Sequence, residues 1–224
     1  MTYKGYDIEI EQDDCSYNNP RGWDKLGTMV CWHRRYALGD ENPKIDPSEY
    51  RLSLLDDKTV QKVEAMNYRG EYEKAHSLTE KMLEQQYIML PLYLYEHSGI
   101  TMSTGSFSCP WDSGQVGFIY VSKEDALKEY TWKRITSARY ARIVEHLRGE
   151  VHTYDQYISG DLWLFDVPGI DGNGGIFGYD NALAEAKSCI DWYLERKKEQ
   201  RREELSNEEI SSGQLLLLYN ETNT

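Results

Sequence analysis

The 224-residue chain has only 4 Phe and 6 Pro, and no long apolar run. A helix that crosses a bilayer needs about 20 consecutive apolar residues. No stretch approaches that length, so no membrane partner is expected. The cysteines, Cys15, Cys31, Cys109 and Cys189, are widely separated and include no Cys-x-x-Cys pair. That spacing argues against a disulfide framework and matches no known metal-ligand pattern. Positive charge is scarce too: 25 Lys and Arg stand against 38 Asp and Glu, for a formal net charge of -13. Binding to a nucleic-acid backbone needs clustered Lys and Arg, so this balance disfavours it. Acidity of this kind keeps a protein soluble, or offers a face to a basic partner. The opening MTYKGYDIEIEQDD has neither the basic start nor the apolar core of a secretory signal. A cytoplasmic protein with reduced thiols is therefore expected.

What is present is enough for a core, at 40% hydrophobic and 28% charged residues. Tyr and Trp dominate the aromatics, 18 and 6 of them. Each joins an apolar body to a polar tip, which suits half-buried walls, grooves and interfaces.

Alternation over 3–12, with Tyr6, Ile8 and Ile10 on one side, predicts a strand; TMVCWHRRYAL (28–38) predicts a second. From Pro47 to Gln86 the period is helical, with Asp46 as N-cap, Pro47 in the first turn and an interruption at Gly70. YIMLPLYLYEHSG (87–99) reads as a strand in which Pro91 marks an edge or a beginning. One or two further strands are expected over 100–107 and 115–122. Ser122 and Asp125 have the spacing of a capping box opening a short helix. A long helix over 136–160 carries Ile143, Leu147, Val151 and Tyr154 along one stripe. DLWLFDV (161–167) reads as a strand, PGIDGNGG (168–175) as a loop, IFGYD as a short strand and 181–210 as a final helix. The run Leu215–Leu218 is read as an edge strand or a contact elsewhere. Strands and helices mix without a βαβ rhythm, so the fold class is α+β: a mostly antiparallel sheet with helices packed on one face and a long C-terminal helix. The expected organisation is a single domain over 1–180 with the helix and tail of 181–224 packed on it or projecting.

Four blocks, GWDKLGTMVCWHRRYALGD (22–40), LPLYLYEHSGITMS (90–103), CPWDSGQVGFIYVS (109–122) and EVHTYDQYISGD (150–161), resemble those of an uncharacterised family of small proteins carried by tailed phages, prophages and related mobile elements. The resemblance covers roughly residues 1–180 and brings no established activity. It implies a phage-linked setting in a host cytoplasm, and roles such as host takeover or counter-defence.

The chemistry-bearing residues gather in these blocks. As a strand, MVCWHRRY sets Cys31, His33 and Arg35 on one face and Trp32, Arg34 and Tyr36 on the other. LYLYEHSG sets Tyr93, Tyr95 and His97 opposite Leu92, Leu94 and Glu96. The loop that follows adds Cys109, Trp111, Asp112 and Gln115. With these strands as neighbours, His33, His97 and Asp112 converge at one end of the sheet. Candidate catalytic residues are then His97, Asp112 and Cys109, either as a Cys–His nucleophilic pair or in acid–base work. Candidate binding residues are Trp32, His33, Arg34, Arg35, Tyr95, Glu96, Trp111 and Gln115. Cys31, His33, His97, Cys109 and Asp112 contain metal-ligand types without a ligand pattern, so no metal and no cofactor is expected. The bland alternative is a turn network, in which Asp112 and Ser113 bond nearby backbone and His97 finishes its strand.

Other motifs are weaker. GIDGNGG lacks the Lys-Ser/Thr of a phosphate loop. His146 and His152, six apart, fall on different helix faces. Tyr154, Asp155 and Tyr157 suit a groove wall or a helix end, and Arg34 or Arg35 an anion. The leading expectation is a non-enzymatic accessory protein that binds a host protein. A small hydrolase or nuclease-like enzyme with a His/Asp/Cys pocket is the first alternative. A protein that sequesters a small molecule or nucleotide is the second. A homo-oligomer is left open.

Overall fold

The computed structural model describes residues 1–14 and 19–222, with side chains through residue 205. Cys15 and the side chains of 215–218 lie outside the described residues. The fold is α+β, and its named strands pair antiparallel. Two compact units are formed, one from Met1–Cys15 with Asp161–Thr224 and the other from Ser16–Gly160. Among the described residues no helix is long and apolar enough to cross a membrane.

In the first unit the strand expected over 3–12 is interrupted. Lys4 (φ 49°) and Gly5 (φ 86°) turn the chain between β1 (Thr2–Tyr3) and β2 (Tyr6–Asp7). Pairing resumes at β3 (Glu9–Gln12), which joins β8 (Leu162–Val167), and β8 joins β9 (Asp171–Phe177). The segment 171–175, expected as loop, is therefore strand. Its glycines fit because neighbours crowd them: a Cβ on Gly172 would lie 2.9 Å from the Phe165 carbonyl oxygen, and one on Gly174 2.9 Å from Asp13. Helix α6 (Tyr179–Thr222) sets Ala182, Ala186 and Ile190, four residues apart, against Ile8, Phe165, Val167 and Ile176.

The second unit is built on a sheet of order β4 (Thr28–Cys31), β7 (Ser113–Ser122), β5 (Tyr87–Glu96) and β6 (Ile100–Ser103). Strand β4 stops at Cys31 rather than continuing to 38. The chain doubles back, and the amides of Asp40 and Glu41 bond the Met29 carbonyl while the Cys31 amide bonds that of Glu41. Pro91 lies within β5 opposite Phe118 of β7, and β6 begins pairing only at Tyr93. The proline thus occupies a locally open edge, where no ladder partner is lost.

Helices α1 (Pro47–Ser53), α2 (Asp57–Tyr68) and α3 (Tyr72–Gln86) form where the helical period indicated. Asp46 caps α1 by accepting the Ser48 amide, and Gly70 (φ 76°) separates α2 from α3. The Ser122 hydroxyl caps α4 (Lys123–Glu129) by accepting the Asp125 amide, and it donates to the Asp125 carboxylate. Helix α5 (Ser137–Ser159) buries Ile143, Leu147, Val151 and Tyr154 against the sheet face of Met29, Cys31, Ile88, Leu92, Ile119 and Val121. Each aliphatic chain buried this way contributes about 1.5–3 kcal/mol. The alternate residues Val30, Tyr87, Met89, Phe118 and Tyr120 point to the other face. There Tyr50 of α1 meets Phe118 and Tyr120, and the Tyr87 hydroxyl bonds the Leu54 carbonyl.

One ionic network ties the loops to the core. The Arg21 side chain is only 4% exposed, and it bonds Asp40 at 2.5 Å and Glu150 of α5 at 2.7 Å. It also donates to the Gly27 carbonyl at 2.6 Å, and Lys25 adds a second cation to Asp40.

Cys31 is fully buried, and its thiol is pushed up to about 12, first by desolvation and then by the negative charge of Asp40. Thiolate chemistry is closed to it in the folded state. Timed labelling with iodoacetamide, read by peptide mass spectrometry, is expected to modify the partly exposed Cys109 early and Cys31 only as the domain unfolds. Equal labelling rates would contradict this burial.

Candidate functional site

The chain leaving β4 no longer follows strand alternation, so the face assignments expected for residues 33–36 do not apply. Instead His33 accepts, at Nδ1, the amides of Arg35 and Tyr36 at 3.3 Å each. A neutral ring bonded this way carries its proton on Nε2, which faces Glu96 at 3.7 Å. Glu96 also takes Arg35 at 2.5 Å. The ring of Tyr36 stacks on His33 with centroids 5.1 Å apart.

This turn forms one wall of a groove of about 620 Å³. Trp32, His33, Arg34 and Arg35 come from the segment after β4, Glu96 from the end of β5, and Trp111 and Asp112 from the loop before β7. Seven of the eleven residues singled out from sequence thus share one surface. Arg34 is exposed and has no ion pair among the described residues. Trp111 is 92% exposed.

The remaining four lie outside the groove lining. Tyr95 sits beside Phe107, with ring centroids 5.6 Å apart, and beside His97 at 6.1 Å. Gln115 donates to the Gly117 carbonyl at 3.2 Å and lines a neighbouring cavity. Cys109 and His97 both meet Asp112: the thiol donates to Oδ2 at 3.5 Å, and Nδ1 of His97 lies 3.7 Å from the same oxygen. A nucleophilic relay requires the imidazole next to the thiol and the carboxylate behind the imidazole. Here the thiol and the imidazole meet the same carboxylate oxygen, and among the described residues no hydrogen bond joins them to each other. Around it the Ser113 hydroxyl donates to the Cys109 carbonyl at 2.5 Å, and the Glu96 amide to the Asp112 carbonyl at 2.8 Å. These bonds tie the turn together; Ser113 bonds backbone as the turn alternative expected, whereas the Asp112 side chain meets Cys109 and His97 instead, and His97 lies just beyond the end of β5. The His97–Asp112 contact is open to solvent, with side chains 65% and 41% exposed, and with a protonated ring it would contribute at most about 1 kcal/mol.

Among the described residues no group of three or more His, Cys, Asp or Glu is placed to hold a metal ion. Of the candidate ligand types, Cys31 is directed into the core.

Two features were missed by sequence reasoning. The Arg21–Asp40–Glu150 network joins residues separated by up to 129 positions. A larger cavity of about 740 Å³ lies between α1, α3, β5 and β7, with Tyr140 of α5 at its border. The alternation of Phe118 and Tyr120, and of Tyr87 and Met89, was the readable sign of an aromatic face there.

No protein-family model matches the chain, and neither a curated protein nor a solved structure shows significant similarity to it.

Proposed function

We propose that this protein acts by binding another protein through the Trp111 groove, and that in the phage-linked setting its sequence resembles, the partner is a host protein. The observation that carries this reading is Trp111: an indole 92% exposed at the rim of a groove that Arg34, exposed and without an ion pair among the described residues, also lines. Trp and Arg are the side chains that most often dominate binding energy at protein interfaces. Leaving a large ring in water has no folding benefit, whereas covering it with a partner removes apolar area of the order of 150–250 Å² from solvent. The exposed Arg34 adds a bidentate donor suited to a carboxylate on that partner. An enzymatic reading has less support, because Cys109 and His97 each meet Asp112 and, among the described residues, no hydrogen bond joins thiol and imidazole.

The test is photo-crosslinking in host cells with benzoyl-phenylalanine at position 111, and at the equally exposed Tyr68 as control. A discrete adduct unique to position 111, and lost on Arg34→Glu, is the expected result. Adducts common to both positions, or indifferent to Arg34→Glu, would remove the groove as a docking surface. An adduct with a second copy of this chain would assign the face to self-association instead.

A further inference from the structure

The larger cavity has a composition that the groove lacks. One wall is the aromatic face of the sheet, with Trp32, Phe118 and Tyr87, and Tyr140 of α5 also borders it. The ring centroids of Trp32 and Phe118 lie 5.7 Å apart, so the wall is continuous. The opposing wall bears Arg51 of α1 and two carboxylates, Glu80 and Glu84, one turn apart on α3. Arg51 bonds Glu80 at 2.7 Å and offsets one negative charge. The Glu84 carboxylate has no ion pair among the described residues. Among the described residues the second oxygen of Glu80 is buried with no hydrogen-bond partner, and the exposed His76 lies 3.8 Å from it. Like charges four residues apart weaken a helix, so helix stability does not account for this pair. At about 740 Å³ the space falls within the range of small-molecule pockets, about 300–1,000 Å³.

We infer that this cavity is a binding site for a small organic cation with a flat apolar body: an aryl- or indolyl-alkylammonium, or a compound of similar shape. Ring faces carry negative quadrupole density and attract a cation, and they stack on a flat apolar group. The carboxylates supply the charge the lining leaves unbalanced, since Arg51 answers only one of the two. An anionic ligand of the same shape would meet Glu80 and Glu84 and is rejected. The groove around Trp111 is a separate surface that shares Trp32 and Val116 with the cavity.

Tryptamine and indole-3-propionate make a matched cation and anion pair for the test. Each is titrated into the full chain by calorimetry and by amide-resolved NMR. Expected are saturable binding of tryptamine, shifts concentrated at residues 80–84 and 115–118, and no binding of indole-3-propionate. Glu84→Gln, at an exposed position, is expected to weaken tryptamine about tenfold, the worth of one charge-assisted contact. Tyr140→Ala, which removes a ring from the border of the cavity, is a second variant should the first disturb the helix. Equal binding of both probes, shifts elsewhere, unchanged affinity in the folded variants, or no tryptamine binding at millimolar concentration would each overturn the inference.

Discussion

Arg21→Ala is expected to destabilise the second unit by about 3–5 kcal/mol, the usual cost of removing one partner from a buried ionic group. The side chains of Asp40 and Glu150 are only 10% and 11% exposed, so alanine leaves two carboxylates with little access to water. Against a total domain stability of roughly 5–15 kcal/mol, that loss is a large share. The urea midpoint is expected to fall with little change in slope. A decrease below about 1 kcal/mol would mean that the network is effectively solvated.

The same network sets an acid limb. Burial alone would raise the Asp40 carboxyl, but hydrogen bonds from Arg21, Lys25 and the Met29 amide outweigh it and hold the group below its ordinary value. A depressed carboxyl contributes stability that is present above its unfolded pKa, about 4, and is lost as pH falls through the lower folded value. Without Arg21, burial acts with less opposition and favours the protonated form. The gap between wild type and Arg21→Ala should therefore narrow below about pH 4, where the wild type loses what the variant already lacks. Urea titrations across that range measure it directly.

Gly117→Ala is the second large effect. A Cβ at this position would stand 1.9 Å from the Val30 carbonyl oxygen, 2.9 Å from its carbonyl carbon and 3.0 Å from the Cys31 Cα. All three are backbone atoms of β4, so no side-chain rotation relieves the clash, and the strands must separate. The expected cost is about 3 kcal/mol or more, at or above the upper end of overpacking effects. It should come with loss of exchange protection at the Trp32 amide, which bonds the Val116 carbonyl at 2.7 Å. Gly114→Ala in the same strand is the control. Nothing lies within 4 Å of its added Cβ, so its stability should stay within about 1 kcal/mol of wild type. Similar values for the two variants would contradict the close approach of β4 and β7.

The candidate site was legible as a list of residues more than as a geometry. Trp32, His33, Arg34, Arg35, Glu96, Trp111 and Asp112 do share one groove. The alternation used to orient residues 33–36 fails, because the strand ends at Cys31 where 40–41 fold back along it. Arg21 and Asp40 read as ordinary turn residues, since nothing within a few positions of either announces Glu150. The cavity was hidden for the same reason: Arg51, Glu80 and Phe118 come from three separate elements.

By itself the sequence determined what depends on neighbours within a turn or so. The caps at Asp46 and Ser122, the break at Gly70 and the buried stripe of α5 follow from hydrogen bonds and side-chain periods spanning three or four residues. Tertiary structure alone decided where β4 stops, why a glycine-rich segment is strand, and which acids neutralise Arg21. Each of these depends on backbone and charge brought close by the folding of distant segments. Steric exclusion and desolvation act through space, and the order of residues along a chain does not encode them locally.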